Sequence, residues 1–192
     1  MSTLLEIKTN LASSARGFKV YLQQNLFEDQ QSQRLALREI LCQQLELSQI
    51  PIHRAELLDL LKIPQHPQLS ISLSHTAAYH TLCWCLLPAR VGIDIEALDR
   101  HKSAVLARVS SASELAAVPR EDLLWSCKEA VFKTFSPRYK VISSVEIFDW
   151  LTLENETWQF RARDLHSQTA LNGRGEVRLI LGHSLAFFIT AP

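Results

Sequence analysis

The chain has 192 residues, 47% hydrophobic and 21% charged, which suits one globular domain or two small lobes sharing a core. Lysine plus arginine balance aspartate plus glutamate at 20 each, which excludes a bulk basic field for nucleic acid; an anionic ligand must be held by a local cluster of positive groups. Met1 to Asn10 lacks the basic start and apolar run of a signal peptide and no apolar stretch reaches spanning length, so a cytoplasmic protein without membrane contact is expected.

Leu4 to Lys8 predicts a short strand, and Phe18 to Leu22 is a second apolar patch. From Gln30 to Leu47 the pattern is helical: Leu35, Leu37, Ile40, Leu41, Leu45 and Leu47 supply the apolar side, with Arg34 and Arg38 on the other. A short helix is expected from His53 to Leu61, and Pro64 and Pro67 punctuate a loop. Leu69 to His75 reads L-S-I-S-L-S-H, a clean alternation of period two. Thr81 to Leu87 is apolar enough to be buried on both faces, and Arg90 to Glu96 follows after Pro88. The short connections predict that these three strands form an antiparallel meander.

The second half repeats the order. Helical stretches run from His101 to Val109 and from Glu121 to Ser136, with Ser113 as a cap for a turn at Glu114 to Ala117. Strands are expected at Val145–Leu151, Thr157–Ala162, Val177–Leu181 and Leu185–Thr190, with Asn172-Gly173 and Gly175 marking a loop. Helices followed by a meander, twice, predict an α+β chain of two similar lobes, 1–93 and 94–192, that share an interface. None of the four cysteines (Cys42, Cys83, Cys85, Cys127) makes a C-x-x-C pair, and all are read as reduced and structural.

Chemistry concentrates in two stretches. In Val91-Gly92-Ile93-Asp94-Ile95-Glu96, strand geometry points Val91, Ile93 and Ile95 to one face, and Gly92, Asp94 and Glu96 to the other. Two neighbouring carboxylates repel unless a cation lies between them, and oxygen-only ligands suit magnesium. Taken alone, a solvated strand end with two unrelated acids is the commoner explanation. Trp125 to Lys133 reads W-S-C-K-E-A-V-F-K; on a helix, Trp125, Glu129 and Lys133 form one stripe, and Leu124, Val131 and Phe135 a neighbouring apolar one. Glu129 and Lys133 alone would pass for an ordinary surface pair. Packed against the strand end, the helix would add a third carboxylate and two cations, Lys128 and Lys133, a cage suited to a magnesium–diphosphate group. His75 alone is more simply a structural histidine; beside Ser74 it is a candidate phosphate donor. The remaining histidines show no ligand spacing, and there is no P-loop, G-x-G-x-x-G or G-x-S-x-G.

In combination, S-L-S-H at Ser72–His75, V-G-I-D-I-E at Val91–Glu96 and W-S-C-K-E-A-V-F-K at Trp125–Lys133 resemble the 4'-phosphopantetheinyl transferase superfamily, and the length resembles its two-lobed, pseudo-dimeric type, which implies lobes related by a pseudo-twofold with the active site at their interface. The resemblance implies transfer of the phosphopantetheine arm of coenzyme A to a serine of an apo acyl or peptidyl carrier protein, with release of 3',5'-ADP. It assigns magnesium to Asp94, Glu96 and Glu129, and the base that deprotonates the carrier serine to Glu129. Lys133 would stabilise or protonate the leaving phosphate. Ser74 and His75 would bind coenzyme A, the histidine near its 3'-phosphate, with Lys128 as an electrostatic contributor. The family's G-K-P has its nearest counterpart in Lys62-Ile63-Pro64, which makes Lys62 a phosphate contact, and Glu114 is an extra acid near the metal. The basic residues expected before the first long helix are sparse, with only Arg16 and Lys19 nearby, and the glycine usual after the motif lysine is absent.

The enzyme is expected to be monomeric. Arg108, Arg120 and Lys140 flank the motifs as candidates for contact with an acidic carrier, although solvated loop charges are the plainer reading of them. The competing function is a protein of the same fold that binds coenzyme A or a carrier without turnover. A magnesium-dependent phosphatase has only the generic carboxylates in its favour.

Overall fold

The computed structural model describes residues 4–11, 17–25, 30–47, 69–98, 103–135 and 141–191. In chain order the elements are β1 (Leu4–Glu6), β2 (Lys19–Gln24), α1 (Gln30–Leu47), β3 (Leu69–His75), β4 (Tyr79–Leu86) and β5 (Val91–Ala97). Then come α2 (Ser103–Val109), α3 (Ala112–Ala117), α4 (Glu121–Phe135), a 3-10 turn at Ile142–Ser144, β6 (Val145–Thr152), β7 (Thr157–Asp164), β8 (Thr169–Ala170), β9 (Gly173–Ile180) and β10 (His183–Thr190). The expected short helix at His53–Leu61 lies outside the described residues.

The strands build two antiparallel sheets. One has the order β1-β2-β4-β3; the other runs β5-β10-β9-β7-β6, with β8 paired to β7. Three apolar layers hold the chain together. Phe18, just before β2, and Val20, Leu22, Cys83 and Cys85 of the first sheet face Val91, Ile93, Ile95, Leu185, Phe187 and Ile189 of the second. The outer face of the first sheet carries Tyr21, Leu82 and Trp84 against Ile40, Leu41 and Cys42 of α1. The outer face of the second carries Phe160, Ala162, Val177, Ala186 and Phe188 against Leu123, Leu124, Cys127, Ala130 and Val131 of α4. The result is an α+β stack, helix on sheet on sheet on helix, consistent with two similar lobes. β10 is buried along its whole length because Phe187 points into one core and Phe188 into the other. Full burial of each such ring stabilises the fold by about 1.5–3 kcal/mol. All four cysteines are buried and free of disulfides. No helix among the described residues is long and apolar enough to cross a membrane.

Three local expectations change. The meander stops at β4, because β5 pairs with β10 in the other sheet. The physical reason lies in the serines of β3: Ser70 Oγ and Ser72 Oγ accept the backbone N–H groups of Val91 and Ile93, each at 3.0 Å. Hydroxyls thus satisfy the edge of β5 that a neighbouring strand would otherwise cover. Gly173 and Gly175 lie inside β9 rather than in a loop. A Cβ on Gly175 would come within 2.0 Å of the Phe160 ring, and one on Gly173 within 2.4 Å of the Ile189 carbonyl oxygen and 2.6 Å of the Phe188 ring, so these glycines make room for aromatic rings and, at Gly173, for the backbone of β10. The cap of α3 is Ser111, whose Oγ accepts from Glu114 N at 3.1 Å, so the helix starts earlier than a Ser113 cap would place it.

Candidate functional site

β5 is an edge strand, and α4 lies across the face from which Gly92 and Asp94 project. Contact there is close because residue 92 has no side chain: a Cβ would sit 2.0 Å from the Ala130 carbonyl oxygen and 2.5 Å from Thr134 Oγ1. Two residues further on, Asp94 is 4% exposed. Its Oδ1 accepts from Lys133 Nζ at 2.7 Å and from Ser74 Oγ at 2.8 Å, and Lys133 Nζ also donates to the Ile93 carbonyl at 3.1 Å. Asp94 Oδ2 is buried and has no hydrogen-bond partner among the described residues. Burial pushes the Asp94 carboxyl above its ordinary pKa; Lys133 and Ser74 oppose that rise, and Glu96 adds to it.

The register places the other acids. Gly92 lies under Ala130 and Thr134, and Asp94 beside Lys133. Glu96 pairs with Ser184, whose hydroxyl is 3.0 Å from that of Ser126. Strand and helix therefore run in opposite directions. Two strand residues span about 6.6 Å and four helical residues about 6 Å. Ser126 is therefore level with Glu96, and Glu129 lies on the helix between that point and the Ala130–Thr134 contact with Gly92. In the present side-chain arrangement, however, no three aspartate, glutamate, histidine or cysteine groups converge on one point among the described residues. In donor type the residues fit a hard divalent cation, since all are oxygen ligands and one buried oxygen is unmatched.

Ser74 and His75 end β3 on the same rim. Ser74 is turned inward onto Asp94, so it positions that carboxylate. His75 is exposed and pairs across to His80, ring to ring at 6.4 Å. His80 is buried and bonded to Asn25 at 2.8 Å, and burial, with His75 second, lowers its pKa to about 4. His183 packs edge-on against Tyr79 at 4.9 Å and lies opposite Ala97 at the end of β5.

Lys128 has a different environment from Lys133. Five residues separate them, about 140° round the helix. Lys128 is fully buried, ion-paired to Glu114 Oε2 at 2.9 Å and donating to the Val145 carbonyl at 2.5 Å. Glu114 Oε1 accepts from Ile147 N at 2.7 Å. The pair therefore satisfies the free edge of β6, one residue from Glu129 in sequence. Burial lowers the Lys128 pKa and raises that of Glu114, and each partner opposes the other's shift. Glu114 accordingly belongs to this buried pair and not to the group around Asp94. Lys62 lies outside the described residues, as does Lys140. Arg120 is tied to Asp122 at 2.6 Å, and Arg108 donates to the Ala104 carbonyl at 3.1 Å.

Residues 90–182 match the family model described as the 4'-phosphopantetheinyl transferase superfamily. No curated protein matches the chain. The matched segment begins beside β5, includes all of α4 and ends just before β10, so Asp94, Glu96, Glu129 and Lys133 all fall within it.

Proposed function

We propose, with membership of this segment in the 4'-phosphopantetheinyl transferase superfamily as the premise, that the protein moves the phosphopantetheine arm of coenzyme A onto a serine of an apo acyl or peptidyl carrier protein. The observation that carries the proposal is Asp94: a buried carboxylate with one oxygen on Lys133 and Ser74 and the other unmatched, inside the matched segment. The carrier serine oxygen forms a bond to the phosphorus that bears pantetheine. The bond from that phosphorus to the bridging oxygen breaks, and 3',5'-ADP leaves. Such a reaction asks the protein for positioning and charge neutralisation more than for covalent chemistry.

Asp94, Glu96 and Glu129 would hold magnesium, which when bound offsets the charge gathering on the diphosphate. Glu129 takes the serine proton. Lys133 donates to the leaving phosphate, and His75, exposed on the rim, meets the 3'-phosphate. Ser74 holds Asp94 in place, and the Lys128–Glu114 pair fixes the helix turn from which Glu129 projects. Both lobes act as one monomeric unit, and the pseudo-dimeric subtype accounts for the two sheets.

The test is the intact mass of a panel of apo carrier proteins after incubation with this protein, coenzyme A and magnesium. The expected result is a gain of one phosphopantetheine that vanishes with EDTA. No gain on any carrier, with coenzyme A binding retained in calorimetry, would overturn catalysis in favour of binding without turnover.

A further inference from the structure

Lys133 and Asp94 differ in how freely they can move. The Lys133 side chain is 29% exposed and reaches in from the rim, whereas the Asp94 side chain is 6% exposed and fixed on the strand. The ammonium uses two of its donors, on Asp94 Oδ1 and the Ile93 carbonyl. Ser74 already donates to the same Oδ1, so Oδ2 is the one oxygen left for any further cation. A divalent ion placed there would lie within a few ångströms of the ammonium, and the two positive charges would repel each other.

We infer that Lys133 is a built-in counter-cation that masks Asp94, and that an arriving diphosphate opens the metal site by drawing the ammonium away. The inference rests on the proposed function for the identity of the site. A diphosphate offers Lys133 several anionic oxygens at the rim, where the long lysine stem can swing without disturbing α4. Asp94 then exposes both oxygens to the metal. Metal and diphosphate therefore bind cooperatively, and linkage requires that each raise the other's affinity by the same factor.

The test measures binding of Mn2+ alone to the full chain by calorimetry, with no coenzyme A present. Lys133→Met, which keeps the stem and removes the charge, should bind the ion at least about tenfold more tightly than wild type, about 1.4 kcal/mol. Lys133→Arg restores a cation able to hold Asp94 and should bind like wild type. Adding Asp94→Asn to Lys133→Met should abolish the tight binding and so locate it. Circular dichroism confirms that each variant is folded. Wild-type affinity, weaker binding or no binding in Lys133→Met would overturn the mask. Failure of the transferase proposal is seen separately, as carriers that stay unmodified while the Mn2+ affinities follow the predicted order.

Discussion

Replacing Glu114 by alanine should cost this protein a large part of its stability. In the native fold the Glu114 carboxylate does two things: Oε2 balances the buried Lys128 ammonium, and Oε1 accepts the edge N–H of Ile147. Glu114→Ala leaves a lysine at 0% exposure with only the Val145 carbonyl, and leaves Ile147 N without its acceptor. Removing one partner of a buried ion pair costs about 3–5 kcal/mol. A domain of this size has about 5–15 kcal/mol in total. With a urea dependence near 2 kcal/mol per molar, the unfolding midpoint should fall by roughly 1.5–2.5 M. Glu114→Gln keeps an acceptor for Ile147 and should fall less. Glu114→Met with Lys128→Met removes both charges and should recover much of the loss, but not all, because the β6 edge groups stay unmatched. The assay is urea unfolding followed by circular dichroism at neutral pH. A Glu114→Ala loss of less than about 1 kcal/mol, or a double variant weaker than the single one, would refute the buried-pair account.

Gly92→Ala should destabilise by about 1–3 kcal/mol, since its Cβ would meet the Ala130 carbonyl and Thr134; thermal unfolding measures this, and an unchanged midpoint would contradict the close approach of α4 to β5. Ser74→Ala removes a hydrogen bond to a buried carboxylate and should cost about 1.5–3 kcal/mol in stability, read from the shift in urea midpoint. His80 gives a pH dependence with a definite sign. Its pKa is lowered from 6.5 to about 4, so between those values the unfolded chain binds the extra proton, and stability falls as the solution is acidified through that window. His80→Gln should flatten that part of the curve in unfolding measured from neutral to acid pH, and an equally steep curve would exclude His80 as its source.

Much of this was legible in the sequence because the governing patterns are local. The alternation in Leu69–His75 specified β3 to the residue, and the helical spacing of Trp125, Glu129 and Lys133 specified α4. What the serines of β3 are for could not be seen, because their partners lie on a strand of the other sheet. Lys128 and Lys133 look alike in the motif, and only the rotation of the helix against β5 and β6 sends one into the core and the other to Asp94. Gly173 and Gly175 carried turn chemistry in sequence, but the deciding neighbours were the Ile189 carbonyl and the rings of Phe160 and Phe188, supplied by other strands. Asp94 and Lys133, 39 residues apart, could be nominated from their motifs, but their contact depends on Gly92 letting the helix approach.

The most direct measurement of the central claim compares wild type with Asp94→Ala and Glu129→Ala in transfer of phosphopantetheine to an apo carrier, followed by intact mass over time. Losing one of these carboxylates should slow transfer on the order of a thousandfold, with the unfolding midpoint showing that each variant stays folded. Transfer at near the wild-type rate by either folded variant would contradict the assignment of catalysis to this edge of β5 and the facing turn of α4.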